Sequence, residues 1–515
     1  MKNAFSYRLK SIKSLVLAVG AAVLTASVAH AQDSGALIDA LVKKGVLSDQ
    51  EAEDIRVDLT KEYNTTSAGK IELSSFISHL KLFGDARLRY NYSNAQTYSA
   101  TPAPAGGPAS GHVNNNDESQ YRWRLRLGAE YTYDPHWSAV VRLETATGND
   151  STNTDFGNYF DKTANTIYVG QVYLRYQNQF SLFDSTSTVA NGKNFNTVTD
   201  PGVDAGVDIV VGRGPSQITL SEAFWDDDLN PDGLAEQFTF KHVGVEGLTL
   251  AARGAEYITS DNSTNGLATV VGGNSTTSST SKNESAYLFI AQLEAKYEFA
   301  PKTNVVISPL FLTETPGTYN GIATTLPEQS GNDYATSNTN LAVLGGLNVV
   351  AIPLEFNFPL FGQPNKVYGT YGANLTPVDR LQRIEGFPGE AGGGVAAYAN
   401  QHGQNTFWNA GYQIGELKKK GDWQLSAEYR WIEALSYTPN LSDSDWANGV
   451  LGQQGVALKA AYSFTDFLTA NVIYYHSNPI RPEGGDAVGA VNGIYGSTGA
   501  EGQADIIQGN LNWKF

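Results

Sequence analysis

The chain has 515 residues, a formal net charge of −17, no Cys, one Met, and 27 Tyr, 22 Phe and 8 Trp. Its charged content is 17%, against roughly 25% in typical soluble domains. These values exclude a disulfide scaffold, a Cys-based zinc site and cysteine catalysis, and the acidic balance argues against nucleic acid as a partner.

Residues 1–31 read as a signal peptide. Lys2, Arg8, Lys10 and Lys13 form a basic n-region, residues 15–24 an apolar h-region, and Ala29-His30-Ala31 offers small residues at the two positions a leader peptidase needs. Removing this leader takes away four cations and no acid, which leaves 484 residues and a charge of −21. The chain therefore leaves the cytoplasm, and the lack of Cys suits an oxidising compartment. No later apolar run approaches the ~20 residues a membrane helix needs.

Residues 32–79 are expected to form a helical arm and linker. Asp33 or Ser34 can cap a helix whose Leu37, Ile38, Leu41 and Val42 share a face, and Gly45 ends it. Ser48 and Glu51 have capping-box spacing and open a second helix through about Glu62.

From residue 80 the hydrophobic period changes to two. Leu80, Leu82, Ala86, Leu88 and Tyr90 alternate with Lys81, Asp85, Arg87 and Arg89. Tyr121, Trp123, Leu125, Leu127, Ala129, Tyr131 and Tyr133 alternate with Arg122, Arg124, Arg126, Glu130 and Thr132. One face of such a strand is apolar or aromatic and the other polar. Segments this long, with aromatics at both ends, match a bilayer-crossing strand of about 9–11 residues between aromatic girdles. Strands are expected near 80–92, 121–133, 137–147, 166–177, 207–213, 236–243, 247–258 and 284–299, then 303–313, 339–352, 366–375, 404–416, 422–434, 453–464, 467–477 and 502–515. That is an all-β transmembrane antiparallel up-and-down β-barrel of 16 strands over residues 80–515. Short turns such as Asp134-Pro135-His136 and Thr465-Asp466 alternate with long loops rich in Gly, Ser, Thr and Asn, the asymmetry of outer-membrane barrels. Segment 178–206 is long where a turn should be short, so 18 strands is the alternative count. A secreted solenoid adhesin would need an internal repeat of fixed period, and the sequence has none.

The chain ends with Leu511, Trp513 and Phe515 on one strand face. This tail resembles the C-terminal signal by which outer-membrane barrels are recognised for insertion, which implies the barrel-assembly machinery as a partner and the cell outer membrane as the destination. Outer-membrane lipid and lipopolysaccharide would then surround the barrel, and the arm would lie in the periplasm.

Further stretches carry a family likeness. They are residues 36–48 of the arm, Phe83-Gly84-Asp85-Ala86-Arg87-Leu88-Arg89-Tyr90, Arg122-Trp123-Arg124-Leu125-Arg126-Leu127-Gly128, residues 225–234 (Trp225 to Leu234), and Gly421-Asp422-Trp423 with Tyr429-Arg430-Trp431-Ile432-Glu433-Ala434. Through these the chain resembles the "putative porin" family of Gram-negative outer membranes. The resemblance implies a barrel and a pore for small hydrophilic solutes and ions, and leaves the solute open. A sugar- or anion-selective channel is one alternative. An outer-membrane barrel hydrolase is another, although no Gly-x-Ser-x-Gly elbow, P-loop or His-Glu-x-x-His motif is present. No enzyme activity, cofactor or metal is expected. The oligomeric state stays open between monomer and homotrimer.

If the apolar face meets lipid, the other face lines the lumen. Arg87, Arg89, Arg122, Arg124, Arg126, Arg142 and Arg175 then form a basic wall on the first four strands, since neighbouring strands lie about 4.8 Å apart. The loop near 214–235 carries Glu222, Asp226, Asp227, Asp228 and Asp232. In 16-stranded porins the third long loop folds inward, so the resemblance implies an acidic constriction loop facing that wall. Asp228 to Gly233 also matches the first half of a calcium loop, but Thr239 stands where a bidentate Glu is needed.

Overall fold

The protein is described from a computed structural model. The structure describes residues 42–44, 48, 50–53 and 55 of the arm. In the body it describes 77–101, 110–146, 152–156, 166–182, 185–191, 194–200, 203–260, 286–315, 347–377, 405–433, 435–438, 441–449, 451–480 and 498–515. The chain divides into two units, Met1–Ser74 and Ser75–Phe515. The signal peptide, the first part of the arm and Gly45 lie outside the described residues.

In the first unit the capping box is present. The Ser48 backbone N–H donates to Glu51 Oε2 at 2.9 Å, and the Glu51 N–H donates back to Ser48 Oγ at 3.3 Å. Two helix-end donors are satisfied reciprocally. The far end of that helix lies outside the described residues.

The second unit is a closed antiparallel barrel of sixteen strands. They are β1 His79–Thr101, β2 Ser110–Thr132, β3 Trp137–Ala146, β4 Thr166–Leu182, β5 Val203–Arg213, β6 Asp232–Lys241, β7 Leu248–Ser260 and β8 Ala286–Ala300. The second half comprises β9 in two pieces, Thr303–Ile307 and Leu310–Glu314, then β10 Leu347–Leu360, β11 Gln363–Asn374, β12 Thr406–Gly415, β13 Trp423–Ile432, β14 Gln453–Ser463, β15 Leu468–Pro479 and β16 Thr498–Lys514. Each strand pairs with its sequence neighbours, and β16 returns to β1, with Leu88 opposite Leu511 and Ala86 opposite Trp513. The ring is sealed where the Gly84 N–H donates to Phe515 O at 2.9 Å and the Phe515 N–H donates to Gly84 O at 3.1 Å. Gly84 is needed here, because a Cβ would meet the Phe515 ring at 2.5 Å. Closure leaves no unpaired sheet edge for hydrocarbon to meet.

The outer face is an apolar belt. Val172, Leu174, Val211, Leu293, Leu354, Leu425, Leu458, Val472 and Phe515 are all exposed. Tight turns join strands at one end of the barrel. Phe361 and Gly362 connect β10 to β11 with φ of 53° and 72°, and Leu360 pairs with Gln363 around them, which is the two-residue hairpin geometry that suits twisted strands.

Three segments depart from the expected boundaries. β10, described over 347–360, continues past the expected end at 352 and runs through Pro353 and Pro359; the expected residues 339–346 lie outside the described residues. The Pro353 carbonyl accepts from Ser308 N–H at 3.0 Å, so its missing N–H faces the gap at Ser308-Pro309 between the two pieces of β9. A proline costs little at a place where the ladder is already interrupted. β1 and β2 are each 23 residues long, so much of the expected first long loop is strand. Segment 178–206 finishes β4, starts β5 and carries a separate hairpin between them, Ser185–Asn191 paired with Asn194–Asp200. That hairpin is its own two-stranded sheet, so the insertion adds strands without adding to the barrel.

Candidate functional site: the lumen constriction

The wall begins with an electrostatic conflict written into the β1–β2 register. Asp85 lies opposite Arg126, but Arg87 lies opposite Arg124 and Arg89 opposite Arg122. Directly opposed like charges destabilise a sheet, and the cost grows as the guanidinium groups leave water. Arg89 and Arg124 are buried, at 5% and 6% exposure.

Three loops on the side opposite the tight turns relieve the conflict, each with one carboxylate. The second long loop carries a two-residue strand, Thr154–Asp155, that pairs with Arg122 and Trp123 of β2; Asp155 accepts from Arg122 Nε at 2.9 Å. Asn153 beside it accepts from Arg87 Nη2 at 2.6 Å. The third loop, residues 214–231 between β5 and β6, brings Asp228 to the wall. Asp228 accepts from Arg124 Nη1 at 2.8 Å and Arg126 Nη1 at 3.3 Å, and lies 3.8 Å from Arg87 Nη2. The seventh loop, residues 433–452 between β13 and β14, brings Asp445, which accepts from Arg89 Nη1 at 2.9 and 3.0 Å. Asp85 completes the set, accepting from Arg124 and Arg126.

The third loop is stitched right across the lumen. Thr219 and Gln292 of β8 exchange hydrogen bonds, Ser221 Oγ accepts from Asn409 of β12, and Glu222 pairs with Lys459 of β14. Phe224 is fully buried, with its ring 4.5 Å from Phe407 and 6.0 Å from Tyr437. Trp225 packs 6.0 Å from Tyr257. Burial of each such ring contributes about 1.5–3 kcal/mol. These rings sit among inward apolar residues that include Leu288, Ile290, Leu312, Val349 and Ile432. The sequence reading missed this inner cluster. Its signal was present, because runs such as residues 310–312 and 349–352 are apolar on both faces, as strands buried on both sides are.

Below and beside the two loops lies a cavity of about 950 Å3, lined by Arg87, Arg124, Asp227, Tyr368, Gln424 and Asn512 among others. Every cation lining it has a carboxylate within salt-bridge reach: Asp228 for Arg87, Asp445 for Arg89, Asp85 and Asp228 for Arg124 and Arg126, Asp232 for Arg213, Glu355 for Lys366, and Glu222 for Lys459. Asp227 has no hydrogen bond or ion pair among the described residues and is exposed to the cavity. Surrounding protein desolvates it and, with Glu222 nearby, lifts its carboxyl to about 6. Asp228 is the reverse case. Burial would raise it, but Arg124, Arg87 and Arg126 outweigh that and hold it down to about 2.

The structure thus brings together Arg87, Arg89, Arg122, Arg124, Arg126, Glu222, Asp226, Asp227 and Asp228. Asp228 lies on the basic wall and not across from it. Arg142 joins through Glu144 at 3.0 Å and Asn230 at 3.3 Å. Arg175 stands apart, bound bidentately to Asp208 at 2.9 and 2.6 Å. Asp232 is the first residue of β6 and pairs with Arg213 at 2.8 and 2.6 Å. Asp155, Asp443 and Asp445 were not foreseen, since nothing local marks an acid whose partner lies 33, 13 or, for Asp445, 356 residues away.

A family model described as "Putative porin" matches residues 21–310 and 382–515. No curated protein matches the sequence. Among solved structures, Salmonella typhi OmpF in complex with daunomycin aligns at 10% identity and TM-score 0.37, over 86% of this chain and 100% of its own. A Rhodopseudomonas blastica porin triple mutant aligns at 8% identity and TM-score 0.33, over 85% and 100%.

Proposed function

The chain belongs to the "putative porin" family, and from that premise we propose a passive diffusion channel of the cell outer membrane for small hydrophilic solutes and ions. The observation that carries the reading is a closed barrel, apolar outside, around a polar cavity of about 950 Å3. No energy source and no bond chemistry enter it. Lipid and lipopolysaccharide meet the outer belt, the tight turns and the arm face the periplasm, and Leu511, Trp513 and Phe515 present the chain to the assembly machinery. The assembly to test is a homotrimer.

The narrow part of the channel lies where the third loop meets the arginine wall. A wall of free guanidinium groups would favour anions. Here each has a carboxylate within salt-bridge reach, while Asp226 and Asp227 on the third loop have no cation partner among the described residues, which supports a weak preference for cations. Charge lining a pore selects ions in this way. Liposome swelling in isotonic solutions of small sugars tests the reading. Swelling should be rapid and should slow with solute size. Liposomes that stay as tight as protein-free ones would refute it.

A further inference from the structure

Three consecutive residues at the tip of the seventh loop each hold a different part of the barrel. Asp443 accepts from Arg430 Nη1 of β13 at 2.6 Å. The Ser444 N–H and Oγ donate to Asp226 Oδ2 of the third loop at 3.1 and 2.8 Å. Asp445 takes Arg89 of β1. The tip therefore reaches from its own strand, past the lumen faces of β14 to β16, to the opposite side of the sheet seam. Residues 442–445 all line the cavity.

From this geometry we infer that the tip Ser442–Asp445 is a second, detachable constriction element, and that Asp443, Ser444 and Asp445 set the channel's size limit by clasping it over the lumen. The inference rests on the porin reading above and names the residues that decide which solutes fit.

Two features separate the tip from its base. On either side of it the loop is held by apolar packing, with Leu435, Tyr437, Trp446 and Leu451 all buried, and Tyr437 Oη donating to Phe224 O at 2.7 Å. The tip itself is held by polar contacts, and Ser444 is exposed. Moreover, each partner keeps another bond when the tip leaves. Arg430 Nε still donates to Glu428 at 2.7 Å, Arg89 Nε still donates to Asn510 at 2.7 Å, and Asp226 Oδ1 still accepts from the Asp228 N–H at 2.8 Å. Stripping a buried charge of its only partner is strongly unfavourable. Here Arg430 keeps the Glu428 carboxylate, and Arg89 gives up its carboxylate but keeps the Asn510 amide on the cavity wall, so the tip can move while the wall and the base stay folded.

The test compares the wild-type barrel with Asp443→Asn combined with Asp445→Asn in planar bilayers, sizing the pore with neutral polyethylene glycols. The double variant should show higher unit conductance and should admit polymers that the wild type excludes, whereas Asp445→Glu should keep the wild-type limit. Because the chain has no Cys, Asp226→Cys with Ser444→Cys gives a second, independent handle. Bridging that pair with a short bifunctional thiol reagent should hold the small limit, and leaving it reduced should widen it. An unchanged limit in the folded double variant, or in the cysteine pair whether bridged or reduced, would overturn the clasp while leaving the porin reading intact. A wild-type barrel that conducts nothing would instead overturn the porin reading beneath it.

Discussion

Arg87 and Arg124 lie directly opposite each other across the β1–β2 ladder, and the third loop reaches them both through Asp228. The wall thus needs the loop as much as the channel does. Two guanidinium groups at cross-strand spacing repel, and one inserted carboxylate turns that repulsion into attraction.

Asp228→Asn should therefore act differently from Asp227→Asn. The first leaves Arg124 and Arg126 with Asp85 and takes from Arg87 its Asp228 carboxylate, so the reversal potential in a salt gradient should move strongly toward anions. The second removes one free charge and should move it less. Both shifts should fade at 1 M salt, where screening falls to about 3 Å. Equal shifts from the two variants would contradict the pairing seen at Asp228.

Selectivity should also depend on pH in a defined window. Asp227 is raised to about 6 by the surrounding protein that desolvates it and by Glu222, so it is ionised at pH 7.5 and takes up its proton as pH falls below 6. Asp228 stays ionised throughout, because it is held at about 2. Cation preference should decline between pH 7 and 5, and Asp227→Asn should abolish that decline. A reversal potential that titrates identically in the variant would assign the effect elsewhere.

The membrane embedding is read most simply at adjacent residues of β14. Leu458 is exposed on the outer belt, and Lys459 points inward to Glu222. Leu458→Arg should destabilise the barrel by about 2–4 kcal/mol near the bilayer midplane, measured by urea unfolding in lipid. Cysteine placed at 458 should react with a lipid-soluble probe and cysteine at 459 with a water-soluble one. Equal aqueous labelling at both positions would be incompatible with this embedding.

The C-terminus closes the ring through the paired hydrogen bonds between Gly84 and Phe515. Deleting Trp513 to Phe515 removes that seal and the aromatic end of β16. Export should continue, but the heat-modifiable folded form should vanish from outer-membrane fractions. Normal levels of folded barrel would mean that closure is secured further up the β1–β16 ladder.

Much of this architecture was legible because strand periodicity is a local signal. Residues 121–133 announce an outward and an inward face without any partner. The expected end of β10 at 352 fell short because Pro353 looks like a stop, and only the neighbouring break at Ser308-Pro309 makes it tolerable. The arginine ladder was equally legible, and so was the acid-rich third loop. What a single sequence hides is which acid meets which base. Asp445 and Arg89 are 356 residues apart, and Asp443-Ser444-Asp445 looks like any polar loop. The buried Tyr437 and Trp446 nearby were the one cue that this loop does not simply lie in water.

The central claim, a conducting barrel, is tested most directly by adding purified, heat-modifiable protein to a planar lipid bilayer at several salt concentrations. Discrete conductance steps that scale with bulk salt are expected, with a small preference for cations at low salt. A folded barrel that inserts and yields no steps would contradict it.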